Sequence, residues 1–160
     1  MARHDTAAEG FWRFSLLVYA RPGVADALIR LQDRDGYNIN IILFGLWLGL
    51  CEGMRLDAAG LARAKAAIAG IDRDVVSPLR RLRRELRADP DPDIRELRRR
   101  VLALEIAAER RVQARLAASA MHRRARSGDR RALAEANLRI ILGDDFKSDE
   151  ATLLRQAIAG

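Results

Sequence analysis

The run Ile41-Ile-Leu-Phe-Gly-Leu-Trp-Leu-Gly-Leu50 carries no polar side chain on any face. Asn38 before it is a good helix N-cap and Gly53 after it a good stop, so the segment reads as a helix from Ile39 to about Glu52. Its apolar stretch is roughly half of the ~20 residues that a membrane-spanning helix needs. The expectation is therefore a core helix buried on all sides, with no membrane span. A fold built on it must surround it with other helices. Gly45 and Gly49 lie four apart on one face, where the missing side chains let a neighbouring helix come close.

The rest of the chain supplies those neighbours. A length of 160 residues with 49% hydrophobic content is one domain's worth of core, and only four prolines interrupt a sequence rich in Ala, Leu and Arg. The first helix opens on the capping box Thr6-Ala-Ala-Glu9 and runs to about Ala20, with Phe11, Trp12, Phe14, Leu16, Val18 and Tyr19 around it. A second starts at Pro22, a favoured first helical position, and ends in the turn Asp33 to Tyr37, where Gly36 takes a positive φ. Asp57 caps a fourth that stops at Gly70. A fifth carries a stripe of Val75, Leu79, Leu82 and Leu86 and starts either near Asp72 to Asp74, with Pro78 in its first turn, or later, with Ser77 and Pro78 as cap and first position. After the rigid corner Asp89-Pro-Asp-Pro-Asp93, a sixth helix runs to about Arg126 with Ile94, Leu97, Val101, Leu104 and Ala108 at a near-coiled-coil period. Asp129 and Ser148 cap two more, the seventh carrying Leu133 and Ile140. The fold class is all-α: a single compact bundle of seven or eight helices over 1–160, with aromatic-rich core helices at about 6–70, a long antiparallel arginine-rich hairpin at about 72–126 and C-terminal helices at about 129–160.

The charge is uneven. The chain has 27 Arg, only two Lys (Lys65 and Lys147) and a net charge of +7. Between Asp72 and Arg131 there are 18 Arg against 10 acidic residues, so the surplus belongs to the hairpin. Guanidinium groups bind carboxylate and phosphate bidentately, which nominates Arg80, Arg81, Arg83, Arg84, Arg87, Arg95, Arg98 and Arg99 as a partner-binding face. An acidic protein fits that face. Nucleic acid fits it less well, because all eight aromatics lie outside it and no zinc-finger, basic-zipper or helix-turn-helix pattern is present. An arginine-preferring codon usage would write the same surface.

No catalytic signature is found: no P-loop, G-x-G-x-x-G, H-E-x-x-H or G-x-S-x-G. His4 and His122 are isolated, and no metal or cofactor site is expected. Asp33-x-Asp35-Gly36 fails as a calcium loop, with its glycine misplaced and Phe44 where the last ligand belongs. Asp144-Asp145 and Asp149 lack the spacing and the second motif of a diphosphate-magnesium site. Cys51, the single cysteine, is expected to be an inert core residue, and an unpaired thiol fits a reducing cytoplasm. Asn40 stands out among Ile39, Ile41, Ile42, Leu43 and Phe44, since a buried amide must find partners. Either it ties its helix to a neighbouring backbone or to the Asp33 to Tyr37 turn, or Asn38 and Asn40 form a small polar pocket walled by Tyr37 and Trp47 that holds an anionic ligand.

The run Phe11 to Val24, followed by Leu31-Gln-Asp-Arg-Asp-Gly-Tyr-Asn-Ile-Asn-Ile-Ile-Leu-Phe-Gly-Leu-Trp-Leu-Gly49, resembles a proteobacterial family of uncharacterised proteins, domain of unknown function 2390. The likeness is strong over about the first 50 residues and continues weakly through Val75 to Arg80. Asn40, Phe44 and Trp47 occupy the places of the family's Asn-x-Leu-Leu-Phe-x-x-Trp helix, and Asn38 stands where the family often has Asp. The resemblance implies a bacterial cytosolic protein and no particular activity. The expected function is a non-enzymatic adaptor or regulatory protein whose basic hairpin meets an acidic partner, with a homodimer open to the sixth helix's stripe. The alternatives are an anionic-ligand binding protein or enzyme with a pocket at the start of the third helix, and a nucleic-acid binding protein.

Overall fold

The computed structural model describes residues 6–120 and 128–159. His4, His122 and the expected end of the sixth helix near Arg126 lie outside them. Among the described residues the chain is all-helical, with no strand. The α-helices are α1 (Ala7–Tyr19), α2 (Val24–Asp35), α3 (Ile39–Leu50), α4 (Ala58–Ile71), α5 (Ser77–Glu85), α6 (Pro92–Ala120), α7 (Arg130–Leu142) and α8 (Asp149–Ala157). Side chains of Thr6, Asn38, Asp57, Asp129 and Ser148 cap α1, α3, α4, α7 and α8 as their residue types dictate. Glu9 does not complete the capping box; its carboxylate accepts from Arg110 on α6 at 2.7 Å.

The apolar helix α3 is the centre of the bundle, every residue from Asn40 to Gly49 being buried. Its glycine face meets α7. A Cβ on Gly49 would lie 2.3 Å from the Ala134 backbone nitrogen, so that position must be glycine for the two helices to touch, whereas one on Gly45 would lie 2.4 Å from Ile141 Cδ1, a side-chain tip that can shift. On the opposite side Phe11 of α1 stacks on Trp47 with ring centroids 5.1 Å apart, and Phe44 closes the cluster. No helix among the described residues is long and apolar enough to cross a membrane.

Several boundaries differ from the sequence reading, each for a local reason. Pro22 does not start α2: Pro22 and Gly23 form a turn, Gly23 has φ +77°, and the helix begins at Val24. The fourth helix does not stop at Gly70. It continues through a π-helical turn, Asp72–Val76, directly into α5. Pro78 has no N–H to give the Asp74 carbonyl and its ring crowds that oxygen; the wider turn, in which Ser77 N–H donates to Asp72, relieves both. Among the described residues eight α-segments therefore make seven rods. On α7 the inward residues are Ala134, Asn137, Leu138, Ile141 and Leu142, while Ile140 is exposed. Cys51 is exposed at the end of α3, where Arg130 donates to the last carbonyls of that helix. Partial desolvation and the Glu52 charge push its thiol up, against the pull of Arg130.

The expected seam between the fifth and sixth helices is buried only at Val101 and Ala108. Val75, Leu82, Leu97 and Leu104 are exposed, and α5 has no buried residue at all. The inward face of α6 keeps Val101 and Ala108 and adds Glu105, Val112 and Leu116. The two helices are joined largely through arginine and glutamate.

Candidate functional site

An open cleft of about 590 Å³ lies between α1, the end of α2, the start of α3, α5 and α6. Helix α1 contributes Trp12, Ser15, Leu16 and Tyr19, α2 contributes Ile29, Gln32 and Asp33, and α3 contributes Ile39, Asn40 and Leu43. The facing wall is Arg80, Arg83, Arg84 and Arg87 with Arg98, Leu102, Glu105, Ile106, Glu109 and Gln113 of α6. At 1.5 Å per residue, Arg98 and Gln113 mark ends about 22 Å apart along α6. Between them, Leu16, Ile29, Leu102 and Ile106 leave much of their apolar surface uncovered.

The inner end is polar and tied together. Ser15 Oγ lies 3.0 Å from the Phe11 carbonyl and 3.1 Å from Gln113 Oε1, and Gln113 Nε2 is 2.9 Å from Asn40 Oδ1. All three side chains are buried, and they come from three helices. Asn40 thus bonds across to α6 and not to the Asp33 to Tyr37 turn. Its remaining amide atom has no partner among the described residues. No sealed side-chain nitrogen or oxygen there lacks one, so that atom reaches the open space of the cleft.

Charge is balanced in the middle of the cleft and left over at the mouth. Glu105, with a side chain only 5% exposed, accepts from Arg80 Nε at 3.1 Å and from the Arg83 guanidinium. Arg80 Nη2 also donates to Glu109 at 2.7 Å. Burial raises the Glu109 carboxyl above its ordinary range against the pull of Arg80, and burial followed by the Glu109 charge raises the Tyr19 phenol. Nearer the solvent, Arg84 pairs with Asp33 at 2.6 Å and holds that carboxyl low. Arg98 donates only to the Arg83 carbonyl, and exposed Arg87 has no carboxylate partner among the described residues.

The residues nominated from sequence are thereby redistributed. Asn40 joins Arg80, Arg83, Arg84, Arg87 and Arg98 in one cleft, a union of two features that the sequence keeps apart. Asn38 and Tyr37 face a separate hollow of about 270 Å³ beside Lys65 and Asp72. Asn38 Nδ2 donates to Asp72 at 3.1 Å while its oxygen caps α3, which spends the side chain on structure. Tyr37 Oη lies 2.8 Å from both the Leu142 carbonyl and Asp145 Oδ2, and burial with that carboxylate pushes the phenol up to about 12. Trp47 is core, not a pocket wall. Arg99 pairs with Glu96, and Arg81 and Arg95 are exposed outside the cleft. Sequence reasoning missed Glu105 and Gln113. The available signal was that Glu105 falls four residues after Val101 and three before Ala108, on the face those two define.

Among the described residues no group of three or more His, Cys, Asp or Glu is placed to hold a metal ion. A protein-family model described as "Protein of unknown function (DUF2390)" matches residues 10–116, a span that contains every side chain lining the cleft. No curated protein and no solved structure matches the chain.

Proposed function

The chain belongs to this family of proteins of unknown function, and we propose that it is a ligand-binding protein that takes a small amphipathic organic anion in the α1–α6 cleft. The observation that carries the reading is the separation of charge within one cavity. Arg80 and Arg83 are neutralised by buried Glu105 and half-buried Glu109, whereas Arg87 and Arg98 at the mouth have no carboxylate partner among the described residues, and aliphatic wall lies next to them. Guanidinium groups beside exposed leucine and isoleucine suit a carboxylate or phosphate attached to an apolar body. The volume falls within the range of roughly 300 to 1,000 Å³ usual for small-molecule sites.

Decanoate tests the proposal. It is expected to raise the melting temperature of the protein by linkage, and decanol, equally apolar and uncharged, is not. Doubly substituting Arg87→Glu and Arg98→Glu should abolish the decanoate shift while leaving the helical circular dichroism intact. Equal shifts from acid and alcohol, or an undiminished shift in the double variant, contradict the reading.

One observation favours a second reading. Arg81 and Arg95, outside the cleft, are exposed with no hydrogen-bonded carboxylate among the described residues, which supports docking of an acidic partner protein on the outer face. Replacing both by Glu would then change the set of proteins captured by the full chain without altering the decanoate shift. The unpaired Cys51 supports a reducing compartment such as the cytoplasm.

A further inference from the structure

We infer that the inner end of the cleft reads a neutral hydrogen-bonding group on the ligand through Asn40, so that the ligand is an organic acid bearing a hydroxyl or carbonyl at the end remote from its charge. This rests on the reading of the cleft as an anion site and adds which way the ligand lies and what its far end must carry.

Two observations support the assignment. Asn40 is 4% exposed, one of its amide atoms is held by Gln113, and the other opens into the cleft. A methyl group placed against that atom strips it of water and gives nothing back, whereas a polar group replaces the lost bond. The second is charge. Glu105 and Glu109 already hold Arg80, and Glu105 holds Arg83, so a second carboxylate at the inner end would meet no uncompensated cation and two anions. A neutral polar group is what remains. Gln113 and Ser15 continue the chain of bonds behind Asn40 and fix the orientation of its amide, which makes the site rigid before the ligand arrives.

Isothermal titration of the full chain with three acids of equal chain length decides it: decanoate, ω-hydroxydecanoate and decanedioate. On the wild-type protein the hydroxy acid is expected to bind about tenfold more tightly than decanoate, the worth of one well-made hydrogen bond. The diacid is expected to bind more weakly than the hydroxy acid. Asn40→Leu should remove the preference for the hydroxy acid while decanoate still binds, and Asn40→Ser, which keeps a polar group there, should restore part of it. Wild-type affinities that rank decanoate level with or above the hydroxy acid, or the diacid first, overturn the inference without the leucine variant having to fold. A preference that survives in Asn40→Leu overturns the role of Asn40. Binding of none of the three acids is a different result, and it overturns the anion-site reading itself.

Discussion

Asn137→Leu should cost the fold about 4 kcal/mol, read as a large drop in the urea midpoint with an unchanged slope. Asn137 has no exposed surface and uses its whole amide on backbone. Its oxygen accepts from Leu56 N–H at 2.6 Å, and its nitrogen donates to the carbonyls of Gly45 at 2.9 Å and Met54 at 3.0 Å. Leucine has nearly the same shape and none of these bonds. The Gly45 carbonyl keeps its place in the α3 ladder, but the Leu56 N–H and the Met54 carbonyl belong to the connection between α3 and α4 and lose their partner out of reach of water. Each such loss costs about 1 to 3 kcal/mol, and a domain of this kind has only about 5 to 15 kcal/mol in all. A midpoint within error of wild type would mean that the connection is not pinned to α7 in this way.

The second large effect is at Glu105. Glu105→Ala should destabilise the protein by about 3 kcal/mol, because it leaves Arg80 and Arg83, both mostly covered, without the carboxylate that joins α5 to α6. The same change is expected to tighten decanoate binding several-fold and to favour decanedioate most, since Arg83 inside the cleft then lacks its counter-charge and Arg80 keeps only Glu109. Stability and affinity thus move in opposite directions, which distinguishes loss of a charge-balancing group from general loosening. Lower stability together with weaker binding of both acids would contradict this assignment of Glu105.

Much of the fold is legible in the sequence because it is written in local signals. Caps at Asn38, Asp57, Asp129 and Ser148 mark helix starts, and the apolar run fixes α3 as the central element with its glycines toward a neighbour. The misplaced features depend on what lies across the bundle. A near-heptad of leucines predicts a seam on α6, yet burial rotates that helix so that Glu105 and Gln113 point in and Leu97 and Leu104 point out. Periodicity cannot register that choice, since a glutamate is accepted inside only when two arginines on another helix arrive to meet it. The cleft was half visible for the same reason. Asn40 is conspicuous among isoleucines and the arginines are conspicuous by number, but that they share one cavity is a property of how α3 and α5 both pack on α6. Tyr37 and Asn38 precede the first turn of α3 and face a different hollow, and Trp47, two turns beyond Asn40, is packed in the core against Phe11 and Phe44.

Photolabelling tests the central claim most directly. A decanoate analogue carrying a diazirine at its ω-end, irradiated on the intact protein and mapped by peptide mass spectrometry, should modify residues of α1, α3 and α6 around Ser15, Asn40 and Gln113. Excess ω-hydroxydecanoate should protect them. Adducts confined to α7, α8 or the outer arginine face, or labelling of the cleft that competitor does not reduce, would contradict the account.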